Sequence, residues 1–201
     1  DNTIVQVGEE IYSLAVRVYF CSGSEVWDGN VNVYTSDWQI HESAEQWLKA
    51  ECRLSDFPFR TGLHIEKRPG MINFSVVGRN ATMGERKMYV EYDTKTKERI
   101  RIAKEFQKFF PAIQAVVGGE TGIDIFPYGK DKAQIINDFD ELNDTLHFFG
   151  DRMDKAGNDY PFKKVILYNN LGRCYSVDDW KHTWKLLKNI STKFGQKKKQ
   201  S

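Results

Sequence analysis

The sequence has few cysteines, no large excess of charge of one sign and no long hydrophobic run. Its three cysteines, Cys21, Cys52 and Cys174, are widely separated. They therefore predict neither a disulfide framework nor a paired-cysteine metal site, and they fit a cytoplasmic protein. The formal net charge of +1 does not favour a nucleic-acid partner. No apolar stretch approaches the roughly 20 residues that cross a bilayer, so no membrane role is expected.

The 201 residues are 40% hydrophobic, which is enough for one generous core or two small ones. Residues 31–128 mix strand and helix patterns, and they predict an α+β arrangement in which an antiparallel sheet carries helices on one side. The alternating patterns predict strands at 16–20, 31–34, 63–67, 71–77, 113–117 and 122–126, and the helical spacings predict helices at 40–52 and 95–110.

Beyond residue 128 the pattern becomes that of an α/β protein. A short helix at 131–139 precedes a buried strand at 146–150, which opens directly into a loop with Asp151, Asp154 and Asp159. Ligands of parallel sheets bind at the carboxyl ends of strands, and carboxylates are preferred ligands of Mg²⁺. The loop therefore predicts a Mg²⁺ site shared with a phosphate. The alternative is a hydrated acidic turn after an ordinary core strand.

The last helix is predicted to follow a strand near 174–177. The sequence Ser176-Val177-Asp178-Asp179 has the arrangement of a capping box at its start. Its apolar residues keep helical spacing and are expected to pack on the sheet; they are Trp180, Trp184, Leu187 and Ile190.

Three arginines form a second chemical signal in the middle of the chain. Arg68, Arg79 and Arg86 are each expected at a strand end or in the loop that follows one. The planar guanidinium fork suits phosphate oxygens, so three arginines at one end of a small sheet would make a phosphate clamp. The alternative is surface pairing with neighbouring acids such as Glu85 and Glu91.

Several segments together carry a signal that none of them carries alone. They are residues 67–79 (Lys-Arg-Pro-Gly-Met-Ile-Asn-Phe-Ser-Val-Val-Gly-Arg), Glu85-Arg86, residues 119–127 (Gly-Glu-Thr-Gly-Ile-Asp-Ile-Phe-Pro), residues 129–132 (Gly-Lys-Asp-Lys), and the Phe-Phe-Gly-Asp and Gly-Asn-Asp stretches that end at Asp151 and Asp159. In this order they resemble the eukaryotic-type phosphomannomutases of the haloacid dehalogenase superfamily. The likeness covers roughly residues 60–177.

The resemblance implies an α/β fold with two domains. A Rossmann-like core of the haloacid dehalogenase type would comprise residues 1–30 and 129–201 and be short on its N-terminal side, and an inserted α+β cap would comprise residues 31–128. The implied activity is Mg²⁺-dependent phosphoryl transfer on a hexose phosphate through an aspartyl-phosphate. The implied partners are a phosphorylated sugar and a second copy of the chain, bound through the cap.

The resemblance also implies a role for each matching residue. Asp1 would be the general acid, and Lys132 would pair with the nucleophile and the phosphate. Arg68, Arg79 and Arg86 would hold the distal phosphate, while Asp124 would contact the sugar hydroxyls. Asp151 would bind the metal ion, with support from Asn158 and Asp159.

The chain also departs from the family pattern. Gly122 stands where the family has serine, and Val76 stands where it has proline. The nucleophile is expected two residues before Asp1, and too few residues precede the strand at 16–20 to close a Rossmann-like core. A mutase, a phosphatase with the same machinery and an inactive sugar-phosphate binding module all remain open. An intact mass well above 23.4 kDa would reveal missing residues and favour an enzyme.

Overall fold

The computed structural model describes residues 5, 7–139, 144–155 and 157–197. It divides into two compact units, Asp1–Gln134 and Ile135–Ser201. Both units combine helices and strands, which agrees with the predicted mixed α/β class. The assignment of residues 1–30 and 129–201 to one core, and of 31–128 to a cap, stays a prediction.

The first unit begins with a short helix and an antiparallel meander. Helix α1 spans Glu9–Leu14, and strands β1 (Arg17–Phe20), β2 (Glu25–Asp28) and β3 (Val31–Thr35) pair in chain order. The predicted strands at 16–20 and 31–34 are confirmed, while β2 was not predicted.

A second sheet of the first unit has four antiparallel strands in the order β4-β5-β7-β6. These strands are β4 (Ile65–Arg68), β5 (Met71–Phe74), β6 (Ile113–Gly118) and β7 (Gly122–Pro127). The two predicted hairpins are confirmed, with shorter strands in the first of them. Gly70 has φ +64° in the tight turn between β4 and β5, a conformation that glycine adopts at little cost. Strand β7 lies between β5 and β6, so the two hairpins form one sheet.

Three helices cover one face of this sheet. They are α2 (Glu42–Leu54), α3 (Met83–Thr96) and α4 (Glu98–Phe109). The buried cluster includes Leu48 of α2, Tyr89 of α3 and Phe106 of α4, together with Ile72 and Ile125 of the sheet. Because side chains alternate across a strand, residue 73 between two buried apolar neighbours projects from the opposite face. One face therefore supplies the core and the other remains available for a site.

Helix α3 was not predicted. The helix that was predicted in this part of the chain, at 95–110, corresponds to α4. In the structure α3 ends at Thr96, Lys97 adopts φ 57°, and α4 follows at once. Tyr89 and Asp93 are the only buried residues of α3, so its sequence lacks the apolar stripe that reveals an amphipathic helix. Its start was nevertheless encoded, because Thr82 and Glu85 form a capping box.

The second unit contains a parallel pair of strands. Strand β8 (Leu146–Gly150) pairs with β9 (Gly172–Ser176), and helix α5 (Tyr160–Tyr168) connects them. Phe162, Ile166 and Leu171 form its small core. Residues Lys132–Asp138 form a 3₁₀ helix where a short helix at 131–139 was expected.

The last helix, α6, spans Trp180–Lys197, and two predictions about it are wrong. Ser176 is still paired within β9, so it cannot cap the helix, and Asp179 Oδ1 instead accepts a 2.7 Å hydrogen bond from the backbone N–H of His182. The expected packing of the apolar stripe is not observed, since Trp180 is 68% exposed and Trp184 47% exposed. None of the described helices combines the length and the apolar character of a membrane span.

Candidate functional site

The face of the four-stranded sheet that lies away from the helices carries a row of polar side chains. Glu66 on β4 is the register partner of Asn73 on β5, and Asn73 is the register partner of Asp124 on β7. Asn73 and Asp124 line a cavity of about 310 Å³. The other residues that line it are Arg68, Arg79, Arg86, Gly118, Gly119, Glu120, Thr121 and Gly122.

The three predicted arginines reach this cavity from different elements. Arg68 ends β4, Arg79 follows β5 in a loop, and Arg86 lies near the N-terminus of α3. The prediction that Arg86 lies at a strand end or in the loop after one is wrong, because α3 begins at Met83. The guanidinium of Arg86 donates from Nη2 to the carbonyl oxygen of Arg79 at 2.6 Å. This contact joins the helix to the loop that carries Arg79.

Glu66 pairs with two of these arginines. Its Oε2 accepts from Arg68 Nη2 at 2.8 Å and lies 2.7 Å from Arg79 Nε. The hydrogen bond from Arg68 holds the pKa of the Glu66 carboxyl below its usual range, against the opposing effect of burial. Burial alone would lower the pKa of Arg68, but the same hydrogen bond and the nearby charge of Glu66 raise it. Both partners therefore remain ionised at neutral pH.

Pairing of the arginines with Glu85 was one expectation, but the carboxylate that pairs with Arg68 and Arg79 is another one. Glu85 completes the capping box of α3 by accepting from the backbone N–H of Thr82 at 2.7 Å, and it also accepts from the hydroxyl of Thr61 at 3.0 Å. Two arginines do pair with a carboxylate, but that carboxylate is Glu66. The reason is geometric, because Glu66 and Arg68 are two residues apart on one strand and thus project from the same face.

Two glycines make room for the polar pair at the floor of the cavity. Asn73 Nδ2 donates to Asp124 Oδ1 at 2.7 Å. A Cβ atom at Gly122 would lie 2.6 Å from Asn73 Nδ2, and one at Gly118 would collide with Asp124 Oδ2. Any side chain at either position would therefore displace one member of the pair.

The hairpin that forms one wall of the cavity is anchored from beneath by Arg99. Its Nη1 donates to the carbonyl oxygens of Gly119 and Gly122 at 3.3 and 3.4 Å. Its Nε lies 2.9 Å from Asp93 Oδ2, in an ion pair whose two side chains are almost completely buried. This arrangement connects the end of α3 and the start of α4 to the loop between β6 and β7.

Of the two residues predicted to be catalytic, the structure describes only Lys132. Lys132 lies at the first position of the 3₁₀ helix Lys132–Asp138. Asp1 lies outside the described residues. The catalytic roles of both residues stay predictions.

The acidic loop of the second unit follows β8, as predicted. Asp151 and Asn158 are exposed, whereas Asp159 is only 3% exposed. Asp159 Oδ2 accepts from the backbone N–H of Arg152 at 3.2 Å, and the backbone N–H of Asp159 donates to the carbonyl of Arg152. These two hydrogen bonds close the loop.

The loop offers the oxygen donors that Mg²⁺ prefers, from two carboxylates and one amide. Within residues 5, 7–139, 144–155 and 157–197, however, no three or more His, Cys, Asp or Glu residues are clustered closely enough to hold a metal ion. The loop residues fit such an ion in chemical type. Their assignment as metal ligands stays a prediction.

Sequence reasoning missed Glu66, Asn73 and Thr121 as residues of this site. Asn73 was placed on the polar face of its strand without a role, because a polar residue between Ile72 and Phe74 shows only that it points away from the core. Glu66 could have been found from its i, i+2 spacing to Arg68. Thr121 carried no local signal, because it is the fold that buries its hydroxyl near Ser75 and Arg86.

Comparisons with known proteins show which family the chain resembles. A sequence model described as eukaryotic phosphomannomutase matches residues 4–193. The chain is 32% identical over 142 residues to a phosphomannomutase of Drosophila melanogaster, an alignment that covers 69% of this chain and 56% of the relative. It is 36% identical over 161 residues to a phosphomannomutase of Solanum lycopersicum, covering 79% of this chain and 63% of the relative. The chain thus spans about three fifths of the length of these relatives.

The fold is also similar to a solved structure of low sequence identity. An IMP-bound IMP-nucleotidase of Plasmodium falciparum superposes with a TM-score of 0.53 at 17% identity, covering 95% of this chain and 51% of that one. This likeness concerns the fold alone, and it agrees with the predicted α/β class. The matched family model extends over nearly the whole sequence. The chain therefore belongs to the eukaryotic phosphomannomutase family.

Proposed function

We propose that this protein catalyses phosphoryl transfer on a hexose phosphate, in the manner of a phosphomannomutase. The observation that carries the proposal is the meeting of Arg68, Arg79, Arg86 and Asp124 at one cavity. These four residues are also the ones to which the family resemblance assigns substrate binding. Family membership supports the same activity.

The cavity has the chemistry of a sugar-phosphate site. Guanidinium groups bind phosphate oxygens through charge-assisted hydrogen bonds, and three of them border one side of the cavity. A sugar hydroxyl needs an acceptor of its own, and the carboxylate of Asp124 offers one at the floor. A ligand with an anionic end and a hydroxyl-bearing body would satisfy both groups.

The remaining assignments of the proposal rest on the family resemblance. Asp151, Asn158 and Asp159 would hold a Mg²⁺ ion, which neutralises charge between a carboxylate and a phosphate when it is bound. Asp1 would donate a proton to the leaving group. Lys132 would balance the negative charge of the nucleophile and the phosphate. The aspartyl-phosphate route belongs to this part of the proposal.

The proposal extends to domain organisation and cellular setting. Residues 31–128 would act as the cap that grips the substrate, with residues 1–30 and 129–201 in the core, and two copies of the chain would associate through the cap. The free thiols of Cys21, Cys52 and Cys174 support a reducing compartment, and we propose the cytoplasm.

The test is an assay of the purified chain with mannose 1-phosphate, Mg²⁺ and a hexose bisphosphate activator. Phosphorus NMR distinguishes the three relevant outcomes in one sample. Formation of mannose 6-phosphate supports the mutase. Release of inorganic phosphate without isomerised product indicates a phosphatase instead. Binding of the sugar phosphate without either product indicates a sugar-phosphate binding module.

A further inference from the structure

Glu66 occupies a special position beside the cavity, because one of its oxygen atoms contacts two arginines. Oε2 lies 2.8 Å from Arg68 Nη2 and 2.7 Å from Arg79 Nε. The three side chains are each about one-third exposed. Two guanidinium groups brought together without an intervening carboxylate would repel each other.

Glu66 lies in a strand with a paired backbone, whereas Arg79 lies in a loop. Glu66 lies within β4, and its backbone is paired with Asn73 of the neighbouring strand. Arg79 lies in the loop after β5, where its backbone N–H donates to the carbonyl of Leu63 at 2.7 Å. Its long side chain is free to adopt several rotamers, and ordering such a side chain costs conformational entropy. A contact from a paired strand restricts that freedom before any ligand arrives.

The contacts with Glu66 leave most of the arginine donors available. A guanidinium has five N–H groups, and each arginine uses one nitrogen for Glu66 in the ion pairs described. Arg68 and Arg79 both line the cavity, whereas Glu66 is not among its lining residues. Glu66 therefore lies beside the cavity and contacts two of the residues that line it.

We propose that Glu66 is a positioning residue that holds Arg68 and Arg79 as one preorganised anion-binding pair. The inference rests on the proposed function, because it takes the anion to be the phosphate of a sugar phosphate. A preorganised pair binds a dianion without first ordering two flexible side chains. The competing role for Glu66 is that of an internal anion, which would occupy the arginines and have to be displaced by the ligand.

The binding experiment compares three variants with mannose 6-phosphate as the titrant, using calorimetry. Glu66→Ala removes the carboxylate, and Glu66→Gln keeps an acceptor oxygen of the same reach without the charge. Glu120→Gln is the charge control, since it removes one negative charge from the cavity lining. Thermal unfolding of each variant shows whether the fold is retained.

We expect Glu66→Ala to raise the dissociation constant roughly tenfold, the equivalent of one charge-assisted hydrogen bond. Glu66→Gln should raise it less, because its amide oxygen still accepts from one guanidinium. Glu120→Gln should bind slightly more tightly, because one repelling charge is gone. Binding by Glu66→Ala that is as tight as in the wild type, or tighter, overturns the proposal. Equal weakening in Glu66→Ala and Glu66→Gln also overturns it.

A second measurement tests the positioning independently of the sugar. Arg79 Nε lies 2.7 Å from Glu66 Oε2, so the NMR signal of its N–H should be protected from exchange in the wild type and lose that protection in Glu66→Ala. Inorganic phosphate then serves as the anion probe for the same variants. A wild type that does not bind mannose 6-phosphate refutes the proposed function. An unprotected Arg79 Nε–H in the wild type refutes the role of Glu66.

Discussion

Asn73 donates a 2.7 Å hydrogen bond from Nδ2 to Oδ1 of Asp124, its register partner on the adjacent strand. Asn73 is 6% exposed, and among the described residues its Oδ1 atom has no hydrogen-bond partner. The opposite orientation of the amide would set its oxygen against the carboxylate, so the orientation is determined by Asp124. The pair fixes the direction of the one carboxylate that we assign to a sugar hydroxyl.

The first prediction concerns the room that Gly122 leaves for this pair. Gly122→Ser would place a Cβ atom 2.6 Å from Asn73 Nδ2 and push the amide away from Asp124. We expect the free energy of unfolding to fall by ~1–3 kcal/mol, as for other overpacked sites, and the affinity for mannose 6-phosphate to fall as well. Urea unfolding and calorimetry measure the two effects.

Gly84→Ala is the matched control for this substitution. Gly84 lies in α3, and the atom nearest to an added Cβ is 4.0 Å away. The change should be neutral or should stabilise the protein by up to ~1 kcal/mol, because alanine favours a helix over glycine. A Gly122→Ser protein as stable as the wild type would contradict the claim that Asn73 leaves no room for a side chain at position 122.

The second prediction tests the arginine clamp. Arg79→Ala removes a cationic donor from the cavity and should raise the Michaelis constant, because a charge-assisted hydrogen bond contributes ~1.5–3 kcal/mol. Steady-state kinetics with mannose 1-phosphate measure the change. Arg53→Ala is the control, since it removes the same charge from an exposed position at the end of α2. An unchanged Michaelis constant in Arg79→Ala would remove this residue from the site.

The third prediction separates two roles in the acidic loop. Asp151 is exposed, so Asp151→Ala should change the free energy of unfolding by less than ~0.5 kcal/mol while it abolishes Mg²⁺-dependent activity. Asp159 is buried and accepts from the backbone N–H of Arg152. Asp159→Ala should therefore lower stability by ~1–3 kcal/mol in addition to any loss of activity.

Thermal unfolding and a Mg²⁺ titration of the activity distinguish these two variants. Full Mg²⁺-dependent activity in Asp151→Ala would contradict its assignment as a metal ligand. A fully stable Asp159→Ala protein would contradict the structural role of the buried carboxylate.

The fourth prediction concerns acid stability. The ion pair with Arg68 lowers the pKa of Glu66 in the folded protein from its ordinary value of 4.5. A lowered pKa stabilises the folded state above the ordinary value, and this contribution is lost as the pH falls through the folded-state pKa. Because the ion pair is partly exposed, the loss should amount to less than ~1 kcal/mol. Glu66→Gln should therefore lose less stability than the wild type below pH 4.5.

Urea unfolding between pH 7 and pH 3 measures this difference. Glu45→Gln provides a matched comparison, because hydrogen bonds from Lys49 and Lys67 also lower the pKa of Glu45, on the helix side of the sheet. Like Glu66→Gln, the Glu45→Gln variant should lose less free energy of unfolding than the wild type when the pH falls. Unlike Glu66→Gln, it should bind phosphate as the wild type does. Identical acid profiles for Glu66→Gln and the wild type would argue against the ion pair.

Local patterns were sufficient to predict much of the first unit. The alternation around Ile72 and Phe74 predicted β5 and its polar face, and the turn at Gly70 predicted the hairpin. They were not sufficient for α3, which buries only Tyr89 and Asp93 and shows no apolar stripe. They also misled at α6, where an amphipathic stripe remains largely exposed in the described chain.

Local patterns and the order of motifs along the chain specify the strands and turns of the four-stranded sheet, the family and the three arginines. These properties depend on residues that are close along the chain or on motifs in a fixed order. The contact of Glu66 with Arg79 and that of Asn73 with Asp124 depend instead on how the first unit packs. Asn73 and Asp124 are 51 residues apart, and they meet because β7 lies next to β5. Strand order in a sheet follows from the packing of the whole unit, and no local spacing encodes it.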